Sequence, residues 1–82
     1  MGQIAAIHWK KFEEFILSCG CKFKRERGDH RIFWRNGINR PIVIPRYKSL
    51  PPFVIMNNLR LLGVPKEEFI QWLRKSKKKK KK

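Results

Sequence analysis

The sequence predicts an α+β fold, a two-layer sandwich in which helices cover one face of a three-stranded antiparallel sheet. Two patterns support this prediction. Apolar residues follow helical spacing near both ends of the chain. Between them lie three short segments rich in β-forming residues, separated by turn signals at hairpin distance. The predicted element order is α-β-β-β-α-α, and three consecutive strands joined in this way predict an antiparallel meander.

The first helix is predicted over residues 7–19. Apolar residues recur there at intervals of three and four, and charged residues occupy the opposite face. Gly20 follows directly and is typical of a helix C-terminus. His8, at the start of this helix, is interpreted as a surface or capping residue.

Three strands are predicted in the middle of the chain. The first covers residues 21–27 and the second covers residues 30–35, with a Gly-Asp turn between them. The third covers residues 40–45 and contains two prolines. Because proline cannot donate to a sheet ladder, we expect this strand at an edge, or confined to residues 42–44.

The two faces of the second strand cannot be assigned from the sequence. By strand parity Trp34 shares a face with His30 and Ile32, and Phe33 takes the opposite face. Both faces are apolar, so the face that meets the helices stays open. For Trp34, burial in the core is the favoured interpretation and stacking on a nucleic-acid base is the alternative.

Two helices are predicted in the last third of the chain. One covers residues 51–62, with prolines in its first turn and Gly63 as its cap. The other covers about residues 65–75, and Glu67 and Glu68 suit the positive end of its dipole.

The size of the chain predicts one domain over residues 1–76, with its core over about residues 9–75. The lysine run at residues 77–82 is predicted to be a disordered tail. It is either a natural polyanion-binding tail or an addition made for expression, and the second interpretation is favoured.

The charge of the chain restricts its class of partner. Twenty-one Lys and Arg residues stand against six Asp and Glu, a formal net charge of +15. Such a surplus attracts polyanions, which are nucleic acids, anionic membrane surfaces or acidic proteins. A membrane span and a secretory signal are both missing from the sequence pattern, so we expect a cytoplasmic protein without a membrane partner.

The sequence lacks the motifs of several common enzyme classes. It contains no glycine-rich phosphate loop, no nucleophile elbow and no Cys/His cluster with metal-ligand spacing. No metal and no cofactor is therefore expected. Cys19 and Cys21 are interpreted as small reduced residues.

His30 is the candidate catalytic residue. It follows the Gly-Asp turn and opens the middle strand, and basic residues precede and follow it. An imidazole exchanges protons near neutral pH, and neighbouring cations can bind a phosphate and stabilise charge on phosphorus. The residues expected to bind flanking RNA phosphates are Lys24, Arg31, Arg35 and Arg46.

Four short motifs carry a family resemblance: GDHRIF at residues 28–33, IVIPR at 42–46, NLRLLG at 58–63 and EEF at 67–69. Each is weak alone, but their order and spacing over almost the whole chain are specific. In this pattern the chain resembles the HicA toxin family. The resemblance implies a fold similar to the double-stranded RNA-binding domain, a ribonuclease toxin that acts on mRNA, and a HicB-type antitoxin as partner. The catalytic histidine of the family falls on His30.

The chain departs from the family pattern at Asp29, where the family usually has serine or threonine. Three roles stay open for this possible modulator of the site. Asp29 could hydrogen-bond the imidazole, repel RNA phosphate, or act only as a turn residue. The departure bears on catalytic rate more than on fold.

The predicted function is a metal-independent endoribonuclease that a cognate antitoxin neutralises, with the free toxin favoured as a monomer. His30 would act as general base on the ribose 2′-hydroxyl or as general acid on the leaving 5′-oxygen. The alternative is a non-catalytic RNA-binding module of the double-stranded RNA-binding-domain type, which is weakened because residues 50–53 lack a lysine cluster. A third interpretation is an interaction module for an acidic protein.

Overall fold

Three helices and one three-stranded antiparallel sheet follow one another along the chain. The computed structural model describes the backbone of residues 5–79 and the side chains of residues 5–75. The elements are α1 (Trp9–Ser18), β1 (Lys22–Arg27), β2 (His30–Trp34), β3 (Ile42–Pro45), α2 (Pro52–Leu62) and α3 (Lys66–Lys79). The predicted α+β class and the order α-β-β-β-α-α are confirmed.

The ends of α1 are fixed by local chemistry. At its start, Nδ1 of His8 accepts a hydrogen bond from the backbone amide of Lys10 at 3.2 Å, which satisfies one of the amides left free at a helix N-terminus. Beyond its last turn, Gly20 has φ of 95°, a left-handed conformation that strains other residues. The predictions that His8 caps the helix and that Gly20 ends it are both confirmed.

The sheet has the strand order β1-β2-β3, so β2 is central and β3 lies at an edge, as predicted. Gly28, with φ of 60°, and Asp29 form the turn between β1 and β2. His30 directly follows this turn. It pairs with Arg27 on β1 and with Pro45 on β3, so it stands at the end of the central strand.

One face of the sheet packs against the helices. Phe33 of β2 and Ile42 and Ile44 of β3 are fully buried in a single core. The helices supply the other large side chains of this core: Phe12, Phe15, Ile16, Ile55, Leu59, Leu62 and Phe69. Because alternate residues of a strand face opposite sides, Trp34 points away from the helices and is 37% exposed. The favoured interpretation of Trp34 as a core residue is wrong.

Two contacts join the helices and their flanking loops to β3 and the segment that follows it. Nδ2 of Asn58, a buried side chain on α2, donates to the carbonyl of Val43 at 3.2 Å. Ahead of α1, Ile7 and Leu50 form an isolated antiparallel bridge, in which the Leu50 amide donates to the Ile7 carbonyl at 2.7 Å. This bridge was not predicted, since a one-residue pairing carries no sequence periodicity.

The last helix is longer than the sequence analysis predicts. α3 continues to Lys79 instead of ending near Lys75, so the backbone of the first three lysines of the 77–82 run is helical. Lysine has a favourable helix propensity, and extending an existing helix costs little. The remainder of the predicted tail, residues 80–82, lies outside the described residues.

Candidate active site

His30 is exposed at the tip of the β1–β2 hairpin, where its side chain keeps 46% of its accessible surface. Its Nδ1 atom lies 2.9 Å from Oδ1 of Asp29. An ionised carboxylate can only accept a hydrogen bond, so this contact requires the proton on Nδ1. The Nε2 atom is then left for a substrate, as lone pair or as proton donor. Of the three roles left open for Asp29, the hydrogen bond to the imidazole of His30 is the one observed in the structure.

Basic side chains share the sheet face of His30. Arg27 is its cross-strand partner and is exposed. The register of β1 shifts between Phe23 and Arg25, so Lys24 and Arg25 together lie opposite Ile32. This bulge moves Arg25 onto the face of His30. We call this surface, which points away from the helices, the open sheet face; it consists of Lys22, Arg25, Arg27, His30, Ile32, Trp34 and Val43.

Arg27 and Arg25 were not among the predicted site residues. Pairing across the Gly-Asp turn would have indicated Arg27, because the residues that flank a two-residue turn face each other. The bulge that reorients Arg25 has no signal in the sequence. Lys24, which was predicted, is exposed at this bulge.

Arg31 faces the helices and is held by two carboxylates. Its Nε and Nη2 atoms donate to the two oxygens of Glu13 at 2.7 and 3.1 Å, and its Nη1 atom donates to Oε1 of Glu26 at 3.1 Å. The guanidinium carbon also lies 4.4 Å from the ring centre of Phe23. The hydrogen bond with Glu13 raises the pKa of Arg31. Arg31 therefore ties α1 to the hairpin, a placement that differs from the expected contact with an RNA phosphate.

Glu26 connects this ion pair to Arg46. Its Oε2 atom lies 3.2 Å from Nε of Arg46, whose side chain is 44% exposed. The backbone amide of Arg46 donates to the carbonyl of Asp29 at 2.8 Å. Arg46 is thus held beside the hairpin of His30, and part of its side chain is accessible to a ligand.

Arg35 lies beyond the other end of β2. Its guanidinium donates to the carbonyl of Cys19 at 3.3 Å and to that of Leu62 at 3.1 Å. These carbonyls stand at the C-termini of α1 and α2, where helix dipoles favour a positive charge. Arg35 is five positions along the chain from His30, roughly 16 Å in extended backbone. The structure does not bring Arg35 to the candidate site.

Cys19 and Cys21 are free thiols. Burial raises the pKa of both, so they stay protonated at neutral pH and are poor nucleophiles. Among the described side chains, those of residues 5–75, no three His, Cys, Asp or Glu residues gather into a group that could hold a metal ion. In the described backbone, residues 5–79, none of the helices is long and apolar enough to cross a membrane.

An exposed His–Asp pair beside basic side chains on an α-β-β-β-α-α fold does not identify a family by itself, and the comparison with known families supplies that identification. The family model described as HicA toxin of bacterial toxin–antitoxin matches residues 9–64. The chain belongs to the HicA toxin family. Membership makes the protein the toxin of a bacterial toxin–antitoxin pair and implies an antitoxin of the HicB type. No curated protein and no solved structure matches the chain.

The matched range of the HicA model extends from α1 through the sheet and α2. It includes the hairpin of His30 and the Gly63 cap. The EEF motif of α3 falls outside it, so that part of the resemblance has no support from the comparison. The double-stranded RNA-binding-domain-like architecture implied by the resemblance is consistent with the observed fold.

Proposed function

We propose that this HicA-family toxin is a metal-independent endoribonuclease that cleaves mRNA, with His30 as its catalytic residue. The observation that supports the proposal most directly is the Asp29–His30 pair. One imidazole nitrogen is held by a carboxylate at 2.9 Å, and the ring is exposed on a strongly basic protein. A proton acceptor at such a position is what cleavage of RNA by its own 2′-hydroxyl requires.

In the proposed reaction, Nε2 of His30 takes the proton of a ribose 2′-hydroxyl. The 2′-oxygen attacks the adjacent phosphorus, and the bond from phosphorus to the 5′-oxygen breaks. The products are a 2′,3′-cyclic phosphate and a 5′-hydroxyl end. Attacking and leaving oxygens lie on opposite sides of the phosphorus, so one imidazole cannot contact both at once. Water therefore protonates the leaving oxygen.

The direct contact of Asp29 is with the imidazole of His30 and not with the RNA. When Nε2 accepts the proton, the ring becomes positively charged, and the carboxylate at Nδ1 stabilises this charge and holds the ring orientation. The same carboxylate repels RNA phosphates. Arg27, which is the cross-strand neighbour of His30, and Arg46 beside the turn offset this repulsion.

The cations of the hairpin divide into two groups by their contacts. Arg27, Lys24 and Arg46 are exposed and can reach phosphates on either side of the cleaved bond. Arg31 and Arg35 have their donors engaged within the protein, so Arg31 positions the hairpin and Arg35 stabilises the fold away from the site. Of the four cations expected from the sequence to bind RNA, we keep Lys24 and Arg46 in this role and add Arg27.

The test compares the full chain with its His30→Ala variant on an mRNA transcript in the presence of EDTA. We expect cleavage by the wild type with 2′,3′-cyclic phosphate ends, and a loss of about 100-fold or more in the variant. His8→Asn is the matched control, since it removes the other histidine and keeps a good N-cap.

Each departure from this result has a definite meaning. Cleavage that persists in His30→Ala would remove the catalytic role of this residue. Cleavage that EDTA abolishes would contradict a metal-independent reaction. RNA binding without cleavage by the wild type would favour the non-catalytic RNA-binding module.

A further inference from the structure

The open sheet face ends in an accessible tryptophan. Trp34 lies four residues along β2 from His30 and on the same face, at a distance of roughly 13 Å. Resting on the proposed nuclease function for the identity of the ligand, we propose that the open sheet face binds single-stranded RNA next to the cleavage site, and that Trp34 stacks on one of its bases.

The ring of Trp34 is available for stacking. The other two tryptophans have their rings engaged, since Trp9 lies 5.4 Å from the guanidinium of Arg31 and Trp72 lies 5.2 Å from the ring of Phe15. Among the described residues, no ring and no cation stacks on Trp34, although 37% of it is exposed. An exposed indole on a sheet is a platform for bases of any sequence.

The charges of the open sheet face are arranged in a row beside this platform. β2 presents His30, half-buried Ile32 and Trp34 along one line. Their cross-strand partners on β1 are all cations, namely Arg27, Arg25 and Lys22. Among the described residues, none of these three cations forms an ion pair with a carboxylate.

This arrangement fits the two edges of a single RNA strand. Phosphates would follow the cations of β1, and bases would lie over the apolar and aromatic line of β2. A duplex does not fit, because its bases are stacked inside and cannot reach Trp34. The face therefore favours unpaired RNA on one side of the cleaved bond.

The experiment is a double-mutant cycle between Trp34 and the RNA base. His30→Ala serves as the parent, so that a fluorescently labelled RNA 12-mer stays intact, and affinity is measured by anisotropy. We expect Trp34→Ala to weaken binding roughly 5- to 150-fold. Trp34→Phe should retain most of the affinity because it keeps an aromatic face. With an abasic nucleotide at the stacked position, parent and Trp34→Ala should bind equally.

Equal affinities of the parent and Trp34→Ala for the intact RNA would overturn the stacking site and leave the open sheet face to a protein partner. A loss that is the same on intact RNA and on every abasic RNA would also overturn it. Cleavage by the wild-type chain is scored separately. If the effect of Trp34→Ala depends on the base but the wild-type chain does not cleave RNA, the proposed nuclease is refuted and the stacking site is kept. If the wild-type chain cleaves RNA but the effect of Trp34→Ala does not depend on any base, the nuclease is kept and the stacking site is refuted.

Discussion

Glu13 of α1 holds Arg31 of β2 through two hydrogen bonds of 2.7 and 3.1 Å. Both side chains are largely shielded from water, with 17% and 20% of their surfaces exposed. Glu26 contacts the third guanidinium nitrogen and, with its other oxygen, Nε of Arg46. Three of the six carboxylates of this very basic chain, Glu13, Glu26 and Asp29, thus bind side chains of the His30 hairpin region. Of the three, Glu13 is the one that links this region to α1.

Glu13→Ala should destabilise the fold by about 2–4 kcal/mol, because it leaves a shielded guanidinium with one carboxylate partner. The measurement is the midpoint of urea unfolding. Glu14→Ala is the matched control on the adjacent residue. Glu14 is exposed and lies 3.8 Å from Lys11, so its loss should cost less than about 1 kcal/mol. Equal effects of the two substitutions would contradict a structural role for the Glu13–Arg31 pair.

Arg27→Ala and Arg35→Ala should have opposite phenotypes. Arg27 is exposed, so its loss should change the free energy of unfolding by less than about 0.5 kcal/mol. If Arg27 contacts one phosphate, the slope of log K for RNA binding against log salt concentration should become about 0.7 shallower. Arg35→Ala removes two hydrogen bonds to helix C-termini and should cost about 1.5–3 kcal/mol. Its salt dependence should remain that of the wild type. If RNA binding by Arg35→Ala depended less on salt than RNA binding by the wild type, Arg35 would contact an RNA phosphate.

The buried thiol of Cys21 should reduce stability at high pH. Burial raises the pKa of Cys21 above its ordinary value of 9.0, whereas in the unfolded chain the thiol ionises near that value. The unfolded state therefore loses its proton first. Stability is unaffected below about pH 9 and falls as the pH rises from there through the folded pKa. Cys21→Ala should show a smaller loss of stability between pH 8 and pH 10 in urea titrations, and an unchanged loss would contradict the effect of burial.

The sequence could predict the elements and the position of His30, because turns and periodicity are local signals. Gly20 and Gly28 indicate positions where the backbone has a positive φ. The alternation of side chains along a strand determines which residues of β2 share a face with His30. The sequence could not decide which face of β2 meets the helices. That choice follows from the partners of β2, since Ile42 pairs with Phe33 and is buried with it.

The roles of the cations depend on features that the sequence does not mark. The bulge at Lys24 turns Glu26 to the side of Arg31, where it completes the ion pairs that withdraw Arg31 from solvent. Arg35 finds its carbonyl partners on two helices that are 16 and 27 residues away in the chain. Clusters of basic residues around a histidine therefore indicate a polyanion site, but only the tertiary contacts distinguish a binding cation from a structural one.

Asp29→Ser, which introduces a residue typical of the family at this position, tests what the departure does. Serine keeps a hydrogen-bond partner for Nδ1 of His30 but cannot stabilise the positively charged ring. Because the pair is exposed, the lost interaction is of the order of 1 kcal/mol, so kcat should fall up to about fivefold. The same substitution removes a negative charge beside the RNA, so KM should fall as well. A lower kcat with a higher KM would mean that Asp29 contacts the RNA itself, and an unchanged kcat would reduce it to a turn residue.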